Sequence, residues 1–265
     1  MKRNLCCILV LLCGTQSALA LAMPYSITDQ RLVMVDFGNQ SLVPVGDAWL
    51  FVNCLEYSED DFLYGVDILA ETLLRINPST GASTIVGPLG IDQQYAADLA
   101  EDEYGQLWML SGGNLYTIDR ATGAAVHQCQ ANSTELSGLA IFDGRMLTTP
   151  YFPDPPEPGC GLEYVSSMKH YLDIGPGGLV YGLLITQLPQ TTWNVVYRID
   201  PATGEEEEVA RFFLRETELR GLAFPPEQQP PPSIPTNDRR GATLLALLLA
   251  AAALVILTRF SAPRG

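Results

Sequence analysis

The chain writes nearly the same seven residues three times: "RINPSTG" from Arg75, "TIDRATG" from Thr117 and "RIDPATG" from Arg198. The match widens to "LLRINPSTGASTIVG", "NLYTIDRATGAAVHQ" and "VVYRIDPATGEEEEV", with a fainter relative, "RLVMVDFGNQSLVPVG", from Arg31. The Asp or Asn that opens each bend stands at Asp36, Asn77, Asp119 and Asp200, at gaps of 41, 42 and 81. The last gap is almost double the others, which places a worn copy near position 160. A period of about 40 residues is that of a four-stranded propeller blade.

Each copy reads as strand, turn, strand. "LYTID" alternates apolar and polar positions and is rich in aromatic and β-branched residues, as a half-buried strand requires. In the turn that follows, Pro presets φ, Asp or Asn bonds the backbone ahead, and Gly accepts a positive φ. Turn capping accounts for these aspartates; calcium binding by them, or on the acidic stretches "YSEDDF" and "EDEYG", is the weaker alternative, because the alternating ligand spacing of a calcium loop is missing.

Between these hairpins lie apolar inner strands, centred on Leu55, Leu99, Leu139, Leu172 and Leu222, which count out five blades. The C-terminal piece, "RGLAFPPE", is an inner strand with nothing after it. The N-terminal piece, from Tyr25 to Val45, has outer strands but no inner strand before it. The two incomplete ends predict a ring closed by pairing Gly221–Phe224 with the first strands, which removes free sheet edges. "PYFPDPPEPGCG", with five prolines, reads as an insertion loop beside the worn third blade. The expected fold is all-β, a propeller of about five four-stranded blades over residues 21–224, plus a C-terminal transmembrane helix.

The two ends set the compartment. Residues 1–20 carry a charged start, a short apolar run and small residues before a cut after Ala20, with Ala22 as the alternative; this is a secretory signal pattern. Residues 241–258 contain no charge and make a helix just long enough to cross a bilayer, preceded by a Pro-rich linker at 225–240 and followed by a basic tail at 259–265, expected in the cytoplasm. The signal sends the N-terminal portion out. That exported portion, residues 21–238, holds 9 basic and 30 acidic residues, a net charge of −21 that excludes nucleic acid as a partner. Cys54, Cys129 and Cys160 remain after the signal. One bridge and one leftover are expected, with Cys129–Cys160 as the bridge and Cys54 as a buried free thiol.

The repeat unit resembles those of secreted bacterial β-propeller proteins, including quinoprotein-type relatives, over about residues 25–224. The tail "PPPSIPTNDRRGATLLALLLAAAALVILTRFSAPRG" resembles the IPTL-CTERM class of sorting signals, with Ile234, Pro235 and Thr236 matching its motif; Asn237-Asp238-Arg239-Arg240 stands where that class carries Leu-Ser-Glu-Trp. The resemblance implies a Gram-negative host, an exosortase-type processing enzyme as partner, and a protein held in the inner membrane before release outward. A plain single-pass anchor is the alternative.

No constellation of catalytic residues stands out. His127 and His170 are the two histidines, and neither has a Ser or Cys at triad spacing. Trp108, Trp193 and Tyr181 are candidates for a face that grips a sugar or peptide, or for blade core. The expected function is a non-enzymatic envelope or surface module that binds a protein or glycan, with no cofactor. The rival is a secreted propeller hydrolase or lyase, which needs carboxylates from several inner strands to converge at the channel. Glu56, Asp98 and Asp173 are the residues whose meeting would favour it.

Overall fold

The computed structural model describes residues 23–226 apart from 29–30, 48–50, 92–97, 135, 152–156, 189–190 and 215–217. The expected signal segment with Ala20, the Ile234-Pro235-Thr236 motif and the expected helix at 241–258 lie outside the described residues. Among those described, no helix is long and apolar enough to cross a membrane.

The chain opens with β1 (Tyr25–Thr28), β2 (Arg31–Asp36) and β3 (Ser41–Asp47). The first blade follows as β4 (Val52–Tyr57), β5 (Leu63–Asp67), β6 (Thr72–Ile76) and β7 (Ser83–Pro88). The second is β8 (Asp98–Glu101), β9 (Leu107–Ser111), β10 (Asn114–Ile118) and β11 (Ala125–Gln130). The third is β12 (Leu136–Phe142), β13 (Arg145–Pro150) and β14 (Leu162–Tyr164). The fourth is β15 (Tyr171–Gly175), β16 (Leu179–Leu188), β17 (Thr191–Ile199) and β18 (Glu206–Leu214). Last comes β19 (Leu219–Ala223), which completes a fifth blade in the order β19-β1-β2-β3. The propeller thus closes as its incomplete ends predict, with Tyr25 opposite Ala223 and Thr28 opposite Leu219.

The five inner-strand leucines, Leu55, Leu99, Leu139, Leu172 and Leu222, are all fully buried. Hiding one such side chain stabilises by roughly 1.5–3 kcal/mol. Apolar clusters fill the clefts between blades: Ile27, Leu32 and Leu55 between the fifth and first, Leu110, Leu115 and Leu139 between the second and third, and Leu147, Leu172 and Val180 between the third and fourth.

The repeated turns are built alike. The side-chain oxygens of Asn77, Asp119 and Asp200 accept the backbone N–H two residues on, at 2.7–2.8 Å. Gly81, Gly123 and Gly204, at φ 75°, 82° and 73°, donate back to the carbonyl of the same Asn or Asp. The turns also dock on the preceding blade. A Cβ added at Gly46 would lie 1.9 Å from the Thr80 carbonyl oxygen, and one at Gly87 would lie 2.0 Å from that of Thr122. The second glycine of the repeat, in "VPVG" and "STIVG", is therefore the floor on which the next blade's turn rests.

The third blade departs from the pattern. It has three strands among the described residues, and β14 pairs parallel to β13, Met146 opposite Leu162. Cys129 of β11 is joined to Cys160 by a disulfide with a Cα–Cα distance of 6.0 Å, and Asn132 N–H donates to the Pro158 carbonyl at 2.8 Å, so the stretch at 158–160 is clipped to the second blade. Lys169, almost wholly buried, then crosses the face of the fourth blade to reach Glu206 of β18 at 3.0 Å.

Candidate functional site

Each inner strand pairs along one edge only, since β4, β8, β12, β15 and β19 end their sheets. Their other edges face the propeller axis, where unpaired amides need acceptors. A few buried side chains supply them. Asp98 is completely buried; its Oδ1 accepts from Leu99 N–H at 3.0 Å, and its Oδ2 from Leu139 and Leu172 N–H at 3.0 and 2.7 Å. One carboxylate thereby gathers the equivalent leucine amides of three blades. Asp173 accepts from Ile174 N–H at 2.6 Å and from Phe224 N–H. Glu56 Oε1 accepts from Glu101 N–H at 3.1 Å, and Asn194 Oδ1 from Leu219 N–H at 2.8 Å.

The three carboxylates drawn from the first, second and fourth blades act on one another. Burial lifts Glu56 well above the usual carboxylate range, and the charges of Asp173 and Asp98 push it further. Burial likewise raises Asp98, against the pull of its three amide donors, and Asp173, against the Phe224 and Ile174 amides. Glu56 and Asp173 are 7% and 8% exposed. Cys54, buried and unbridged, has its thiol pushed up by burial and by Asp98, which makes it a poor nucleophile. Glu56, Asp98 and Asp173 thus meet, but around backbone amides rather than an open cleft. Among the described residues no group of His, Cys, Asp or Glu is placed to hold a metal ion.

At the rim, Glu101 ties two blades: its Oε2 accepts from Glu59 N–H at 2.9 Å, and its Oε1 from Ser58 Oγ at 2.9 Å and Arg120 Nη1 at 2.7 Å. The acidic turns "YSEDDF" and "EDEYG" sit here as inter-strand turns. A shallow cavity of about 360 Å³ opens beside them, lined by Gln106, Thr117, Asp119 and Arg120.

The aromatic candidates separate. Tyr181 is core, 2% exposed and packed against Phe37 and Phe224 with ring centroids 5.9 and 4.6 Å away, so it faces no ligand. Through these two rings the fourth blade packs against the fifth. Trp108 donates its indole N–H to Asp102 Oδ2 at 2.9 Å. Trp193 stacks edge-on against Phe213 at 4.9 Å, with Arg211 over its ring. His127 contacts Asn114 Oδ1 at 3.2 Å on the outer strand β11. His170 Nδ1 accepts from Ile185 N–H at 3.1 Å, and burial lowers its pKa against the pull of Glu218. It immediately precedes β15 of the fourth blade.

No protein-family model matches the chain, and no curated protein does. Among solved structures it is similar to one in a nidogen/laminin complex, at TM-score 0.49 and 12% identity over 76% of this chain and 97% of that one. It is similar to a gluconolactonase from Xanthomonas campestris at TM-score 0.47 and 14% identity over 69% of each chain. Against a virginiamycin B lyase from Staphylococcus aureus the values are 0.41 and 11%, over 75% and 95%. The assignment as a propeller rests on the strand order itself.

Proposed function

We propose that this chain is an exported envelope propeller that binds a protein or glycan and is held or sorted at the membrane by its C-terminal segment. The observation that carries the reading is the state of the channel: its carboxylates are enclosed, and five of their six oxygens accept backbone amides, which suits a scaffold rather than a reaction site. The binding surface follows from the positions of the chain ends. Tyr25 lies beside Ala223, and its ring is 5.8 Å from that of Tyr57 at the end of β4, so both ends of the propeller leave from the acidic-turn rim. The opposite rim lies away from both of these positions. On that rim, by strand direction, stand the exposed side chains Phe51, Leu69, Tyr151 and Phe213, at 43%, 66%, 46% and 56% exposure. Exposed apolar groups on that rim suit a partner surface, while Tyr104 is exposed in the acidic turn of the other rim.

The test takes the exported full-length protein, its Leu69→Glu/Phe213→Glu variant, and Asp98→Asn. The reading expects the detergent-solubilised protein to retain one envelope protein or glycan, loss of that retention in the charged variant at unchanged Tm, and no depolymerisation of extracellular polysaccharides. Turnover that Asp98→Asn abolishes while remaining folded establishes the hydrolase or lyase reading, which the meeting of Glu56, Asp98 and Asp173 favours. Intact mass from cell fractions decides the tail: a chain ending before residue 241 supports processing, and a complete one in the inner membrane supports a plain anchor.

A further inference from the structure

The channel contains one oxygen that the amide pattern does not account for. Both oxygens of Asp98 and both of Asp173 accept hydrogen bonds, as does Oε1 of Glu56. Oε2 of Glu56 is buried and has no partner. A buried anion with a bare oxygen is among the least favourable groups a core can hold. A proton placed on that oxygen removes the charge and turns an orphan acceptor into a donor.

The surroundings determine where that donor can point. On β4 itself stands Cys54; opposite in register on β5 stands Tyr64. From β8 come Asp98 and Glu101, and from β15 Tyr171 and Asp173. β12 brings no titratable side chain, and β19 brings Arg220. The guanidinium of Arg120 is engaged beyond Glu101, at 2.7 Å from its Oε1. The carboxylates whose charges act on Glu56 are those of Asp173 and Asp98, with Glu101 after them, all from other blades.

We propose that Glu56 is held as the neutral acid and shares its proton with Asp98 and Asp173, forming a pH-sensitive lock between the inner strands of the first, second and fourth blades. Below the ordinary carboxylate range the lock is complete. As pH rises through the value Glu56 has in the folded chain, its proton passes to solvent, three like charges face one another, and the axis of the propeller loosens. The sign follows from burial and the neighbouring charges, which raise Glu56 in the folded state: its contribution to stability is fully present at acid pH and lost on the alkaline side.

The test is made on the full-length protein. Infrared spectra at neutral pH are expected to show a protonated carboxylic acid carbonyl that shifts with ¹³C-glutamate labelling and disappears on alkaline titration. Thermal unfolding from acid to alkaline pH is expected to show Tm falling on the alkaline side. In Glu56→Gln, which keeps the acceptor and supplies a permanent donor, the number of protons linked to unfolding on that limb falls by about one. Absence of the labelled band at neutral pH overturns the proposal without any variant. So does a Glu56→Gln protein whose alkaline slope equals that of the wild type.

Discussion

At the scale of the residue, one carbonyl oxygen decides what can stand at position 87. Thr122 O occupies the space a side chain would need, and it belongs to the backbone of a neighbouring blade, so it cannot swing aside. Gly87→Ala is expected to destabilise by about 2 kcal/mol, the range of an overpacked contact, seen as a lower urea midpoint at unchanged m-value. Lys169 gives the opposite contrast. Its ammonium is engaged by Glu206 at 3.0 Å and by Ser167 Oγ at 3.0 Å, and lies over the Tyr197 ring, 4.6 Å from its centroid. Burial opposes ionisation of Glu206, but hydrogen bonds from Ser166, Ser167 and Lys169 outweigh it and hold that carboxyl down to about 2. Lys169→Met keeps the volume and is expected to change stability by only about 1 kcal/mol, whereas Lys169→Ala leaves a gap and costs about 3 kcal/mol in the same measurement. The turn residues Asp119 and Gly123 were legible in the sequence because their partners lie within five positions. Gly87 and Lys169 were not, since each answers to an atom on another element.

At the scale of the element, the sequence shows strands where local chemistry repeats and hides them where it does not. The inner strands stood out because an apolar run around a leucine meets an acidic or glycine turn each time. β14 has three residues and follows a segment of five prolines, too short for any period to register, and its parallel pairing with β13 has no local signature. The Cys129–Cys160 bridge fastens this irregular region across a sequence separation of 31. Replacing both with serine is expected to cost about 3 kcal/mol by releasing a loop of that size in the unfolded chain. Chemical denaturation with and without reductant checks it: the wild type should fall to the stability of the double variant once reduced. Acid types at Glu56 and Asp98 marked the channel in advance, but the donors they take come from strands 41 and 74 residues away from Asp98 and could not be read.

At the scale of the whole molecule, five blades stand or fall by one seam. Ser26 Oγ donates to the Gly221 carbonyl at 2.7 Å, and β1 lies between β19 and β2. Removing residues 219–226 strips the fifth blade of its inner strand, exposes Leu55 and takes away the amide that Asp173 holds. The shortened protein is expected to lose its sharp cooperative unfolding transition, measured by near-ultraviolet circular dichroism on heating. Ring closure was legible because each end of the chain contained the half that the other was missing.

That seam joins groups 195 residues apart. Whichever end of the chain folds first, the ring cannot close until the final strand arrives beside β1. Contacts of such long range are slow to find, so the earlier strands spend part of folding with their apolar flanks uncovered.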